Sequence, residues 1–202
     1  SRFLHEVGLA AQLDHPNTVR VYDAGRTDDG RLFVAMELLD GEPLSAVLLG
    51  GPLDLARVER IVGQVCASLT EAHRKGIVHR DVKPDNVMLC RVGDEIDVVK
   101  LLDFGIARRL KVDGGARLTR QGTLLGTPQY MSPEQAAGGE VDARSDVYSL
   151  AVMTYEMISG RLPFSAVSLL DWVSCHLSAV PLALESTPAG SAAPEATRRA
   201  VL

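Results

Sequence analysis

The stretch His79-Arg80-Asp81-Val82-Lys83-Pro84-Asp85-Asn86, with Asp103-Phe104-Gly105 a short hairpin further on, gathers side chains able to do chemistry. Asp81 and Asp103 offer carboxylates, Asn86 a carboxamide, and Lys83 an ammonium two places beyond Asp81. Taken singly, each of these residues reads equally well as a turn former. Together they do not, because six fixed positions at about a twentieth of usage each recur at about 10⁻⁸ per starting point, or on the order of 10⁻⁶ over the chain.

Such groups act only if the chain around them is rigid. Asp54 is an N-cap for a helix running to Arg74, with Val58, Ile61, Val62, Val65 and Leu69 at helical spacing and Gly76 just past its end. That helix delivers the chain to His79. Residues 87–89 and 98–102 then read as a hairpin that returns Asp103 beside Asn86. Upstream, residues 2–13 read as a helix with Phe3, Val7, Ala10 and Ala11 on one side and Glu6 among them, ending before His15-Pro16-Asn17. Residues 19–25 and 31–38 alternate and form a second hairpin around Thr27-Asp28-Asp29-Gly30.

Downstream, residues 106–130 are polar and glycine-rich and read as a long mobile loop. Asp142 caps a helix that is apolar almost all round, which predicts a buried helix ending at Gly160. Leu169, Leu170, Trp172 and Leu177 mark a further helix with Trp172 in the core. Residues 181–194, rich in Pro, Ala, Ser and Gly, read as a flexible connection to a last helical start over 195–202.

With 202 residues, 46% apolar and 23% charged, the chain can bury a core and reads as a soluble globular domain. A net charge of −5 without a basic run argues against a nucleic-acid surface. Cys66, Cys90 and Cys175 match no zinc or redox spacing and read as free thiols in a reducing compartment. No leader-like opening and no apolar run of membrane-spanning length is present, so no membrane segment is expected in these residues.

The H-R-D-x-x-x-x-N run followed by D-F-G resembles the catalytic loop and metal-binding turn of the protein kinases, and Lys83 resembles the serine/threonine branch. Gly126-Thr127-Pro128-Gln129-Tyr130-Met131-Ser132-Pro133-Glu134 is similar to the end of a kinase activation segment, with serine where the family's A-P-E has alanine. The H-P-N turn and the Ser145-Asp146-Val147-Tyr148-Ser149 wording resemble the bacterial, eukaryotic-like kind.

The resemblance implies an α+β kinase-like fold: a reduced small β lobe over residues 1–38, a mainly helical large lobe over 39–180, and the connection and helix start over 181–202. It implies ATP and magnesium as cofactors. Asp81 would orient the acceptor hydroxyl and take its proton, Lys83 would hold the γ-phosphate, and Thr127 would bond near both. Asn86 and Asp103 would hold magnesium, while Met36, the main chain of Glu37 and Leu39, and Met88 would surround adenine. Glu6 falls where the family's glutamate pairs with a phosphate-binding lysine. Arg80 would receive a phosphate placed on Thr119 or, second, Thr123. His79, Phe104, Glu134 and Asp146 would be structural, with Asp146 anchoring the catalytic loop or else serving as a second capping carboxylate.

By the same resemblance, the 202 residues contain neither the family's G-x-G-x-x-G loop, nor its V-A-I-K lysine, nor the arginine that pairs with Glu134. A fragment of a catalytic domain, inactive alone, is therefore the expectation. Glu134 is expected to lack compensation, and Phe3, Val7, Val21 and Phe33 to present bare apolar surface. The implied partner is a protein bearing a serine or threonine acceptor, with self-association for phosphorylation between copies, in the cytoplasm. A membrane anchor elsewhere is compatible. Two other functions stay open: a catalytically silent kinase-like binding module, whose mark is loss of the HRD or DFG aspartate, and a small-molecule phosphotransferase, which does not commonly combine Lys83, Thr127 and Ser132-Pro133-Glu134.

Overall fold

The computed structural model of the chain describes residues 7–104 and 127–201. Glu6, Thr119 and Thr123 lie outside the described residues, as do Phe3 and nearly all of the loop over 106–130. Residues 7–10 are helical, and Val7, Ala10 and Leu13 are buried at 2%, 5% and 3% exposure. Val7 is thus core and not the bare surface expected of it, because it joins the apolar cluster that also holds Leu101 and Phe104. The His15-Pro16-Asn17 turn that follows is fastened by Asn17, whose Nδ2 donates to Gln64 Oε1 at 2.8 Å and to the Val99 carbonyl at 2.9 Å.

Strand β1 (Val21–Arg26) pairs antiparallel with β2 (Leu32–Met36) around a turn in which Gly30 takes φ +85°. This hairpin is a separate two-stranded sheet, with Tyr22 66% and Phe33 38% exposed. A second sheet has the order β3-β4-β5, from β3 (Gly41–Pro43), β4 (Val87–Val92) and β5 (Glu95–Leu101). The β4–β5 hairpin follows the sequence reading, whereas β3 and the short helix α1 (Leu44–Leu48) are too brief to show periodicity. Gly41 is required in β3, since a Cβ there would lie 2.4 Å from the Leu89 carbonyl oxygen.

Helix α2 (Leu55–Arg74) begins where Asp54 accepts the Arg57 N–H at 2.9 Å and buries Val58, Ile61, Val65, Leu69 and Ala72. Its apolar stripe packs on β5 and on a central helix. The short α3 (Pro133–Ala136) starts with a reciprocal Ser132–Gln135 capping box. The central helix is α4 (Ala143–Ser159), capped by Asp142 and closed by Gly160 at φ +73°. Its Val152, Met153, Tyr155 and Met157 are fully enclosed. Each such side chain contributes about 1.5–3 kcal/mol of burial, so α4 is the post around which the helical body is built. Val147, at 59% exposure, shows that one face still meets solvent.

Helix α5 (Leu169–Ser178) opens with a second capping box, Ser168 with Asp171, and buries Trp172 as the sequence predicts. The segment read as a flexible connection differs from that reading. It forms a 3₁₀ turn at Leu184–Ser186 and a short helix α6 (Pro188–Ser191), with Leu184 and Thr187 buried at 4% and 1%, and the helix start expected over 195–202 follows as α7 (Glu195–Val201). Small residues mark close packing here, because a Cβ at Gly190 would meet the Leu184 oxygen at 2.2 Å.

Candidate active site

The end of α2 aims the chain into the core, where the Ile77 N–H returns to the Ala72 carbonyl at 2.9 Å. His79 follows with no exposed surface. Its Nε2 lies 2.7 Å from the Leu102 carbonyl, and since a carbonyl only accepts, Nε2 carries the proton. Nδ1 then accepts the Asp81 N–H at 3.3 Å. Desolvation holds the His79 pKa below the ordinary histidine value, which keeps this neutral form. The ring also packs on Phe104, with centroids 4.6 Å apart. His79 therefore ties the Asp81 loop to the Asp103 turn as a structural residue.

Among the described residues, three non-glycine residues take positive φ: Arg80 at 70°, Asp97 at 59° and Asp103 at 53°. For arginine this left-handed conformation costs about 1–2 kcal/mol. Asp146 holds it in place. Its Oδ2 accepts the His79 N–H at 2.8 Å and its Oδ1 accepts the Arg80 N–H at 2.7 Å, while the His73 ring also contacts Oδ2 at 2.7 Å. Gln135 Nε2 donates to the Arg80 carbonyl at 2.8 Å, closing the loop from the other side. Asp146 is an anchor of backbone and not a helix cap, a role that Asp142 fills.

The bend sets Asp81 at the surface of a concavity. Its carboxylate, 31% exposed, meets Lys83 Nζ at 2.9 Å. Asn86 Nδ2 donates to the Asp81 carbonyl at 2.7 Å and to its Oδ2 at 3.2 Å, which turns the amide oxygen of Asn86 away from Asp81. The Leu102 N–H meets the Asn86 carbonyl at 2.9 Å and leads directly into the exposed Asp103. Thr127, Tyr130 and Met131 join Arg80 and Asp81 around a small cavity.

At the other edge, Met36 ends β2 at 41% exposure and Leu38 is 99% exposed. The Glu37 N–H is taken by the Arg20 carbonyl at 2.9 Å, and its carboxylate by Lys100 Nζ at 2.8 and 3.0 Å. Met88 on β4 sits opposite Pro43 and Lys100. Glu134 does not lack compensation. Partial burial pushes its carboxyl up, but the Ser145 hydroxyl and further bonds at Glu134 and Ser132 together hold it below the ordinary range.

Sequence reasoning missed His73, Gln135, Ser149 and the Tyr130–Glu156 pair at 2.5 Å. Only Gln135 carries a local signal, as the third residue of the capping box. Among the described residues no group of three or more His, Cys, Asp or Glu gathers as a metal cage, and no helix is long and apolar enough to cross a membrane.

A family model of the protein kinase domain matches residues 1–187. The chain belongs to the protein kinase family. It is 45% identical over 183 residues to the serine/threonine-protein kinase pkn3 of Myxococcus xanthus, covering 90% of this chain and 34% of that protein. It is 43% identical over 184 residues to pkn2 of the same organism, covering 91% and 22%. The identity to the serine/threonine-protein kinase PknB of Mycobacterium tuberculosis is 41% over 185 residues, covering 90% and 29%. The chain thus spans about a fifth to a third of these relatives. The α+β arrangement, a small β region joined to a helical body, is that of the family, which acts on proteins and uses ATP with magnesium.

Proposed function

We propose that this chain carries the phosphoryl-transfer centre of a serine/threonine protein kinase, moving the γ-phosphate of ATP to a serine or threonine hydroxyl of a protein. The observation that carries the reading is the Asp81 carboxylate, held on a strained loop with Lys83 at 2.9 Å and the Asn86 amide at 3.2 Å. Asp81 orients the incoming hydroxyl and accepts its proton, and Lys83 supplies a point charge to the phosphoryl oxygens. Thr127 walls the same cavity and steadies both.

Asn86 and Asp103 fit magnesium. The Asn86 amide is turned by its two donated bonds so that its oxygen faces away from Asp81, Asp103 is an exposed carboxylate, and two hard oxygens are what an ion shared with phosphates asks of protein. When bound, the ion neutralises charge that develops on the phosphates. At the nucleotide edge Met36 and Met88 supply apolar surface, and the carbonyl of Glu37, with the main chain of Leu39, reads the purine. Arg80, beside Asp81, is the receiver for a phosphate on Thr119 or Thr123, and copies associate to place it. In the intact protein Glu6 would pair with a phosphate-binding lysine that these 202 residues do not contain. The cytoplasm, with its ATP, is the site of action.

Transfer of labelled γ-phosphate by the intact protein to a generic basic protein, with the modified residues identified by mass spectrometry, tests this reading. Phosphoserine and phosphothreonine that disappear with Asp81→Asn support it. Tyrosine as the main product, or full activity of that variant, rejects it.

A further inference from the structure

His176, on α5, is only 5% exposed, and none of the chemistry above uses it. The rings of Phe164, Tyr148 and Trp172 enclose it at centroid distances of 5.2, 5.7 and 6.1 Å. An imidazole so enclosed needs a partner at each nitrogen. Nε2 lies 2.9 Å from the Pro128 carbonyl, which only accepts, so Nε2–H donates. Nδ1 lies 2.9 Å from the Tyr148 hydroxyl, which therefore donates to it.

Pro128 opens the 3₁₀ turn Pro128–Tyr130, and Thr127, Tyr130 and Met131 line the cavity beside Asp81. Helix α4 grips the far end of that turn: Ser149 Oγ donates to the Tyr130 carbonyl at 2.7 Å, and the Tyr130 hydroxyl to Glu156 at 2.5 Å. His176 grips the near end, at the carbonyl next to Thr127. Lys83 and Asn86 meet the Asp81 carboxylate at 2.9 and 3.2 Å, and neither lines that cavity. Thr127, Tyr130 and Met131 therefore form a wall at Asp81 against which an approaching protein segment can lie.

We propose that His176 is a positioning residue for the protein substrate: through the Pro128 carbonyl it fixes the wall of residues 127–131 against which the acceptor segment lies, and so sets affinity for protein and not for nucleotide. The proposal rests on the reading of Asp81 as the transfer centre and adds to it a determinant carried by a helix outside that centre. The hydrogen bond is what acts, since the Pro128 carbonyl otherwise takes the turn's own Met131 N–H at a longer 3.3 Å and the ties from α4 fall on Tyr130.

The experiment measures KM for a peptide acceptor, KM for ATP and kcat of the intact protein and three variants. His176→Phe keeps the ring volume and removes both bonds, and it should raise peptide KM about tenfold with ATP KM and kcat within twofold of wild type. His176→Gln can donate to Pro128 and accept from Tyr148, and it should recover most of that loss. Tyr148→Phe should shift peptide KM in the same direction by less, and with His176→Gln it decides the matter if the Phe variant does not fold. An unchanged peptide KM in His176→Phe overturns the proposal, as does a Gln variant no better than Phe, or kcat and both KM values moving together. Failure of the kinase reading shows separately, as absence of transfer by the wild-type protein.

Discussion

Asp146 and Arg80 are 66 residues apart in the chain and meet at 2.7 Å, where a buried carboxylate on α4 accepts the main-chain N–H of a residue held at φ 70°. The same carboxylate takes the His79 N–H at 2.8 Å. Bonds to a buried charged acceptor are worth about 1.5–3 kcal/mol each, more than the strain at Arg80. Asp146→Asn keeps the shape but turns an NH₂ toward one of these donors. We expect it to lose about 2–4 kcal/mol in urea unfolding and to reduce transfer at unchanged ATP affinity. A variant within about 0.5 kcal/mol of wild type would show that the loop holds its bend unaided.

Asp81 and Asp103 separate into different losses. Asp81→Asn retains the size and the bond to Asn86 but not the base, so the rate should fall by about 10²–10⁴ with nucleotide binding intact. Asp103→Ala should instead remove the magnesium dependence of nucleotide binding, read by calorimetry with and without the ion. Equal nucleotide affinity in the two variants would contradict the assignment of the ion to Asn86 and Asp103.

Much of this site was legible because its parts are local in sequence. The Asp81–Lys83–Asn86 geometry comes from one turn, α2 announces itself by its stripe and the Asp54 cap, and the β4–β5 hairpin returns Asp103. What stayed hidden depends on contacts across the fold. Nothing about His73, Ser149 or His176 in sequence says which carboxylate or carbonyl each will meet. Val7 was misread because its cover was sought in strands that these residues lack, whereas it joins the cluster that holds Leu101 and Phe104. Glu134 was misread because its partner was sought as an arginine, when a hydroxyl, that of Ser145 eleven residues on, donates to it.

Burial of His79 and His176 makes stability depend on pH in a defined direction. Desolvation lowers both pKa values, with neighbouring carboxylates opposing it at His79 and the Pro128 carbonyl opposing it at His176. The unfolded chain, with histidine near about 6.5, then binds more protons than the folded one below that pH. Stability is complete above about pH 6.5 and falls as pH drops from there toward the folded values. Glu156, pushed up mainly by burial, acts the other way from its ordinary range upward, so the histidine effect is read between about pH 5 and 6.5 in a Glu156→Gln background, where that opposing slope is absent. The midpoint of thermal unfolding should decline across that window, and a flat profile would mean that both rings titrate normally.

Two glycines with opposite surroundings test whether residues 184–193 are packed as tightly as α2 is regular. At Gly190 a Cβ would lie 2.2 Å from the Leu184 oxygen and 2.5 Å from Thr187 Oγ1, and Thr187 is itself 1% exposed, donating to the Leu184 carbonyl at 2.8 Å. Neither contact is with the far end of a flexible side chain, so Gly190→Ala must displace the corner as a unit, at about 1–3 kcal/mol. Gly63 lies inside α2 with nothing within 4 Å of its added Cβ, and there alanine should gain about 0.5–1 kcal/mol from helix propensity alone. Urea unfolding of the two variants measures both shifts. Loss at Gly190 with gain at Gly63 is the expected pair. A neutral Gly190→Ala would instead return residues 184–193 to the flexible connection that their Pro, Ala, Ser and Gly content first suggests, since a loose segment absorbs a methyl group at no cost.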